Sequence, residues 1–122
     1  MKKKILIIDD EASITKLLKF ALERSGRYEV SAENDGKKAL STTRSISPDI
    51  ILLDVNMPEI SGGEISSELQ EDASLKHIPI VFLTGMLSQE ESQAGLKISG
   101  RPALAKPIDL EKLVECVEKL LA

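Results

Sequence analysis

Cysteine is almost missing from this chain. Cys116 is the single one, so neither an internal disulfide nor a cysteine metal cluster can form. It follows Leu113 at helical spacing and reads as a small, half-buried apolar residue rather than a reactive thiol. Aromatics are nearly as scarce: Phe20, Tyr28 and Phe82 complete the set, and there is no tryptophan. A basic stripe with interleaved aromatics is absent too, and the formal charge is −4 with a pI of about 5.1. Both facts argue against direct nucleic-acid binding. No apolar run approaches the roughly 20 residues that a membrane span needs. The start, Met1-Lys2-Lys3-Lys4, is basic and then apolar, but the run Ile5–Ile8 ends at once in Asp9-Asp10. Such a run cannot serve as the core of a signal peptide. A cytoplasmic chain with no membrane partner is the simplest reading.

What remains is an ordinary folded composition, 42% hydrophobic and 30% charged, over 122 residues. That suits one domain spanning 1–122. Within it, four apolar runs each stop on a polar group suited to phosphate. Lys4-Ile5-Leu6-Ile7-Ile8 stops on Asp9-Asp10, and Ile50-Ile51-Leu52-Leu53 stops on Asp54. Ile80-Val81-Phe82-Leu83 stops on Thr84, and Ala103-Leu104-Ala105 stops on Lys106. If these are parallel strands of one sheet, their ends share one edge.

Helical patterns alternate with the strands. Ile14, Leu17, Leu18, Ala21 and Leu22 make one apolar stripe, stopped by Ser25-Gly26. Tyr28 to Ala32 reads as a second strand, and Asp35 caps a short helix running to about Ile46. Ser47-Pro48-Asp49 breaks it before the third strand. A third helix is expected near Glu64 to Gln70, after a loop containing Pro58, Gly62 and Gly63. Ser88 and Glu91 fit a capping box for a fourth helix with a poor apolar stripe. Asp109 caps the last, with Ile108 and Leu113 as a hydrophobic staple and Leu110, Leu113, Val114, Val117, Leu120 and Leu121 as its stripe.

Five strands alternating with five helices predict an α/β domain, a doubly wound parallel sheet. The continuous apolar strands 1, 3 and 4 belong in the centre. Strands 2 and 5 belong at the edges, and Pro102 supports this for strand 5. Right-handed crossovers then give the flavodoxin-like order 2-1-3-4-5. The crossover direction reverses between strands 1 and 3, so the crevice beyond their carboxyl ends is the expected ligand site.

Asp9, Asp10 and Asp54 end those two strands. Three carboxylates in one crevice repel: two unit charges about 4 Å apart cost on the order of 4 kcal/mol at an effective dielectric near 20. Such a site raises a carboxylate pKa or recruits a cation. Oxygen ligands without His or Cys select Mg²⁺ or a similar ion, which attracts phosphate. An aspartate beside it can attack a phosphoryl group. Lys106 can pair with a phosphoryl oxygen and Thr84 can donate to another. For any one of these residues a cap, turn or solvated loop role is explanation enough. Four strand ends carrying matching groups at one edge are harder to explain that way.

The pieces Ile7-Ile8-Asp9-Asp10-Glu11, Asp35-Gly36, Asp49 to Asp54, Met57-Pro58 with Gly62-Gly63, Leu83-Thr84-Gly85 and Lys106-Pro107 come in a specific order and spacing. Together they resemble the receiver (response-regulator) domain of bacterial-type two-component phosphorelays, over the whole chain. The resemblance implies that Asp54 accepts a phosphoryl group from a histidine kinase or phosphotransfer protein. It implies Mg²⁺ held by Asp10 and Asp54, by the Asn56 backbone carbonyl and, through water, by Asp9. Thr84 and Lys106 would bind the phosphoryl oxygens, with a cis Lys106–Pro107 bond. The domain would catalyse only its own phosphorylation and dephosphorylation. It would switch a surface read by a downstream protein target or output domain, and no output domain is expected after Ala122.

The sequence departs from that family at Ala103, where a Tyr or Phe three residues before the lysine is common. Met86 and Asn56 occupy positions that in the family tune acyl-phosphate lifetime. Glu11, Glu59 and His77 read as solvated surface residues. Ala103 keeps open an alternative, a pseudo-receiver or adaptor that binds its partner independently of phosphorylation. A Mg²⁺-dependent phosphohydrolase is opposed by Asn56, which stands where an acid two residues after Asp54 would be needed. A flavin module is opposed by the acidic loop after strand 1.

Overall fold

A computed structural model of the protein describes residues 2–85, 97–98 and 101–122. Its strands are β1 (Lys3–Ile8), β2 (Tyr28–Glu33), β3 (Ile50–Asp54), β4 (Ile80–Thr84), β5 (Lys97–Ile98) and β6 (Arg101–Ala105). Its helices are α1 (Ala12–Glu23), α2 (Ala39–Ile46), α3 (Gly62–Glu71) and α4 (Leu110–Leu121), and a 3₁₀ turn at Gly36–Lys38 leads into α2. The sheet order is β2-β1-β3-β4-β6-β5. The first five strands in that order are parallel, and β5 pairs antiparallel with β6.

The parallel order is the predicted one, with β6 as the expected fifth strand. It is not a bare edge, because Lys97 stands opposite Pro102 and Ile98 opposite Arg101. Four α-helices lie among the described residues. The fourth predicted helix, with Ser88 and Glu91, lies outside them, as does Met86.

Alternation along the strands sorts the core into two layers. Ile5 and Ile7 of β1 face one side with Ile50 and Leu52 of β3 and Val81 and Leu83 of β4, against Leu18, Leu22, Leu113 and Val117 of α1 and α4. Leu6, Ile8, Ile51, Leu53, Ile80 and Phe82 face the other, against Ala39, Ile65 and Leu69 of α2 and α3. Helices on both faces explain why these strands carry apolar residues without a break.

Two expectations fail at the helix rims. Leu17 is 58% exposed and Leu110 38% exposed, so neither belongs to the core. The buried line of α1 runs through Thr15, Leu18 and Leu22, and Leu17 lies to one side of it. Ile108 and Leu113 do share the core, and the Asp109 carboxylate accepts from the Glu111 and Lys112 N–H groups, as a cap should. Cys116 is half-buried against the same cluster, and burial pushes its thiol pKa up.

The outer edge strand, β2, is shielded. Val30 donates its N–H to Glu23 Oε2 at 3.1 Å, and its carbonyl accepts from Lys19 Nζ at 2.7 Å. A Lys–Glu pair one turn apart on α1 thus occupies backbone groups that would otherwise face an incoming strand. Among the described residues no helix is long and apolar enough to cross a membrane.

Candidate functional site

A parallel sheet delivers the ends of its strands to one side. Asp9 follows β1, Asp54 closes β3, Thr84 closes β4 and Lys106 follows β6. All four, with Asp10, meet at that side. One carboxylate oxygen from each of Asp9, Asp10 and Asp54 lies within 4.8 Å of the others. Asp9 and Asp54 are buried, at 0% and 3% exposure, while Asp10 is open to solvent.

Lys106 enters this pocket from the β6 side. Its ammonium lies 2.9 Å from Asp9 Oδ2, 3.2 Å from Asp54 Oδ1 and 3.8 Å from Glu11 Oε1. The Lys106–Pro107 bond is cis. Burial works against the ammonium, but hydrogen bonding and charge from Asp9, then Asp54, raise its pKa above the usual lysine value. Asp54 moves the other way from a salt-bridged acid. Burial, then the charge of Asp9, lift its pKa to about 6 despite Lys106 and the Asn56 N–H.

The local chain explains why the acids sit where they do. Asp9 Oδ1 accepts from the Glu11 N–H at 3.0 Å, closing a turn across Asp10, and the Asp9 N–H donates to the Glu33 carbonyl at 3.1 Å. Asp54 is followed by a loop tied back by Gly62, whose N–H donates to the Val55 carbonyl at 2.9 Å. A Cβ at Gly62 would stand 2.3 Å from the Asp54 carbonyl oxygen and 2.9 Å from Val55 Cα. Only glycine permits that approach, and Ser61 caps α3 beside it by accepting from the Glu64 N–H at 3.2 Å. Thr84 is buried at the end of β4, and its carbonyl accepts from the Lys106 N–H at 2.9 Å. Asn56 is exposed in the loop and donates its N–H to Asp54 Oδ1 at 3.4 Å.

A family model described as the response regulator receiver domain matches residues 5–118. The chain belongs to that family. This receiver is 36% identical over 121 residues to the alkaline phosphatase synthesis transcriptional regulatory protein PhoP of Bacillus subtilis, covering 99% of the chain and 49% of PhoP. It therefore spans about half of that relative's length. It is 31% identical to the polar-differentiation response regulator DivK of Brucella ovis, covering 99% of the chain and 98% of DivK. Among solved structures it superposes on the chemotaxis protein CheY4 of Vibrio cholerae with a TM-score of 0.83 at 32% identity, covering 99% of this chain and all of that one. Phosphorylation and Mg²⁺ binding are typical of such receivers of two-component systems.

The receiver's donor set fits that ion. Converging carboxylate oxygens without imidazole or thiolate suit a small hard cation. Ala103 is buried on β6 opposite Phe82, so the receiver has no aromatic there. Glu59 and His77 are exposed as expected, with Glu59 paired to Lys37 at 2.7 Å, while Glu11 reaches the pocket rim beside Lys106. Sequence reasoning passed over Asn34, which contacts the Asp9 carbonyl, and Thr15, which accepts from Asn34. Asn34 follows β2 at the same sheet edge, but that strand's weak alternation gave no terminus from which to find it.

Proposed function

We propose that Asp54 is the phosphoacceptor of a signalling switch. The observation that carries this reading is the gathering of three carboxylates and one ammonium at a single strand-end pocket. The donor is the phosphohistidine of a histidine kinase or phosphotransfer protein. An Asp54 carboxylate oxygen bonds to phosphorus, the P–N bond breaks, and the imidazole leaves with its electron pair and takes up a proton. Asp10, Asp54 and the Asn56 carbonyl would hold Mg²⁺, with Asp9 acting through water. When bound, the ion neutralises charge on the transferring group. Lys106 is released from Asp54 to pair with a phosphoryl oxygen, and Thr84 donates its hydroxyl to another. The modification adds about −1.5 to −2 charges where a carboxylate stood. The strand ends that carry Thr84 and Lys106 transmit it to a surface read by a downstream partner.

Incubation with acetyl phosphate and Mg²⁺, followed by intact mass measurement, tests the reading. A phosphoryl adduct in the native chain and none in Asp54→Ala supports it. Equal labelling of both, or of neither, overturns it. A second reading rests on Ala103, which removes the aromatic common in the family. The fold then serves as an adaptor that binds its partner without phosphorylation, and Asp54→Ala would leave biological output intact.

A further inference from the structure

Asn34 stands one residue beyond β2, beside the acidic pocket. Its amide nitrogen donates to the Asp9 carbonyl at 2.8 Å and to Thr15 Oγ1 at 3.1 Å. A carbonyl only accepts, which fixes the orientation of the amide. The two hydrogens of one nitrogen thus serve two acceptors. Thr15 is 2% exposed, and its own hydroxyl proton goes to the Ala12 carbonyl at 3.0 Å. Its oxygen is left to accept, and its place on α1 makes it a rigid anchor.

The Asp9 carbonyl belongs to the peptide unit that joins Asp9 to Asp10. Tilting that unit swings the Asp10 carboxylate. The other polar groups of Asp9 are already held: its N–H by Glu33, Oδ1 by the Glu11 N–H, and Oδ2 by Lys106. Asn34 holds the carbonyl of the peptide unit that carries Asp10.

We propose that Asn34, braced by Thr15, is a positioning residue that sets the direction of Asp10 and thereby the Mg²⁺ affinity of the site. The proposal rests on the functional reading above. Neither residue touches the ion; they act through the Asp9–Asp10 peptide. Partners that orient metal ligands typically change affinity 10- to 100-fold when removed. Asn34 is itself exposed, so water replaces part of its bond and the low end applies.

Calorimetric titration of the metal-free full chain with Mg²⁺ tests this, using Asn34→Ala, Thr15→Val and the double variant. Asn34→Ser, too short to reach both acceptors, serves if Asn34→Ala does not fold. Asn34→Ala is expected to weaken Mg²⁺ binding about tenfold, while the metal-free unfolding midpoint changes little. Thr15→Val weakens it less, and the double variant is no weaker than Asn34→Ala, because Thr15 acts only through Asn34. Native affinity in Asn34→Ala, or losses that simply add, overturns the proposal while leaving the functional reading standing. A native chain that binds no Mg²⁺ overturns both.

Discussion

At Asp54, burial and the charge of Asp9 favour the neutral form and outweigh Lys106 and the Asn56 N–H. An aspartate near 3.8 when unfolded and about 6 when folded binds its proton more tightly in the native chain. Between those values the native state holds the extra proton, so stability falls as pH rises through the window and levels off above it. The sign is opposite to that of a carboxylate stabilised by an ion pair. Asp54→Asn removes the penalty, on the order of 3 kcal/mol at neutral pH. We expect its metal-free unfolding midpoint to exceed the native one by several degrees at pH 7.5 and to converge on it near pH 4. Thermal unfolding at both pH values checks this, and no gain at pH 7.5 would refute the burial argument. The acids and Lys106 were legible because each ends an apolar run, a pattern that needs no three-dimensional knowledge. Asn34 was not, because the weakly alternating β2 gave no sharp terminus to count from.

Among the elements, the junction of β3 and α3 is tightly built. Gly62 lies against the Asp54 carbonyl, so the loop geometry and the placement of the acceptor aspartate are one problem. Gly62→Ala puts a methyl group into backbone that cannot yield. A loss of roughly 2–4 kcal/mol is expected, read as a lower denaturant midpoint, with shifted amide resonances at Asp54 and Val55. An unchanged midpoint would mean that the loop relaxes freely. The sequence marked this glycine as part of a loop and of the receiver-like motif, but nothing linear reveals which backbone it will meet. Helix stripes were legible in direction but not in width. Leu17 and Leu110 satisfied the spacing, yet the sheet covers only a narrow line of each helix, and rim positions stay in water. The strands were easier, because burial on both faces leaves an unbroken apolar run.

For the whole molecule, a cation that binds only the folded chain adds stability by mass action. At 100 times its dissociation constant the gain is about 2.7 kcal/mol, a rise of roughly 10 °C for a domain of this size. Adding Mg²⁺ to metal-free protein should give that rise, and excess EDTA should abolish it. Asp54→Asn should respond far less, having lost one ligand. A scan showing the same midpoint with and without the ion would contradict the assigned site. Strand order was the most legible property at this scale, since right-handed crossovers leave few ways to centre three apolar strands. The extra pairing of β5 with β6 was invisible, because two residues carry no periodicity.

The Lys19–Glu23 clamp on Val30 has a social consequence. That flank of the sheet is occupied at Val30, so a neighbour approaching along β2 meets the clamp before it can add a strand. Replacing both residues by alanine should leave a monomer at low concentration but scatter light increasingly as the protein is concentrated, as bare strand edges find one another.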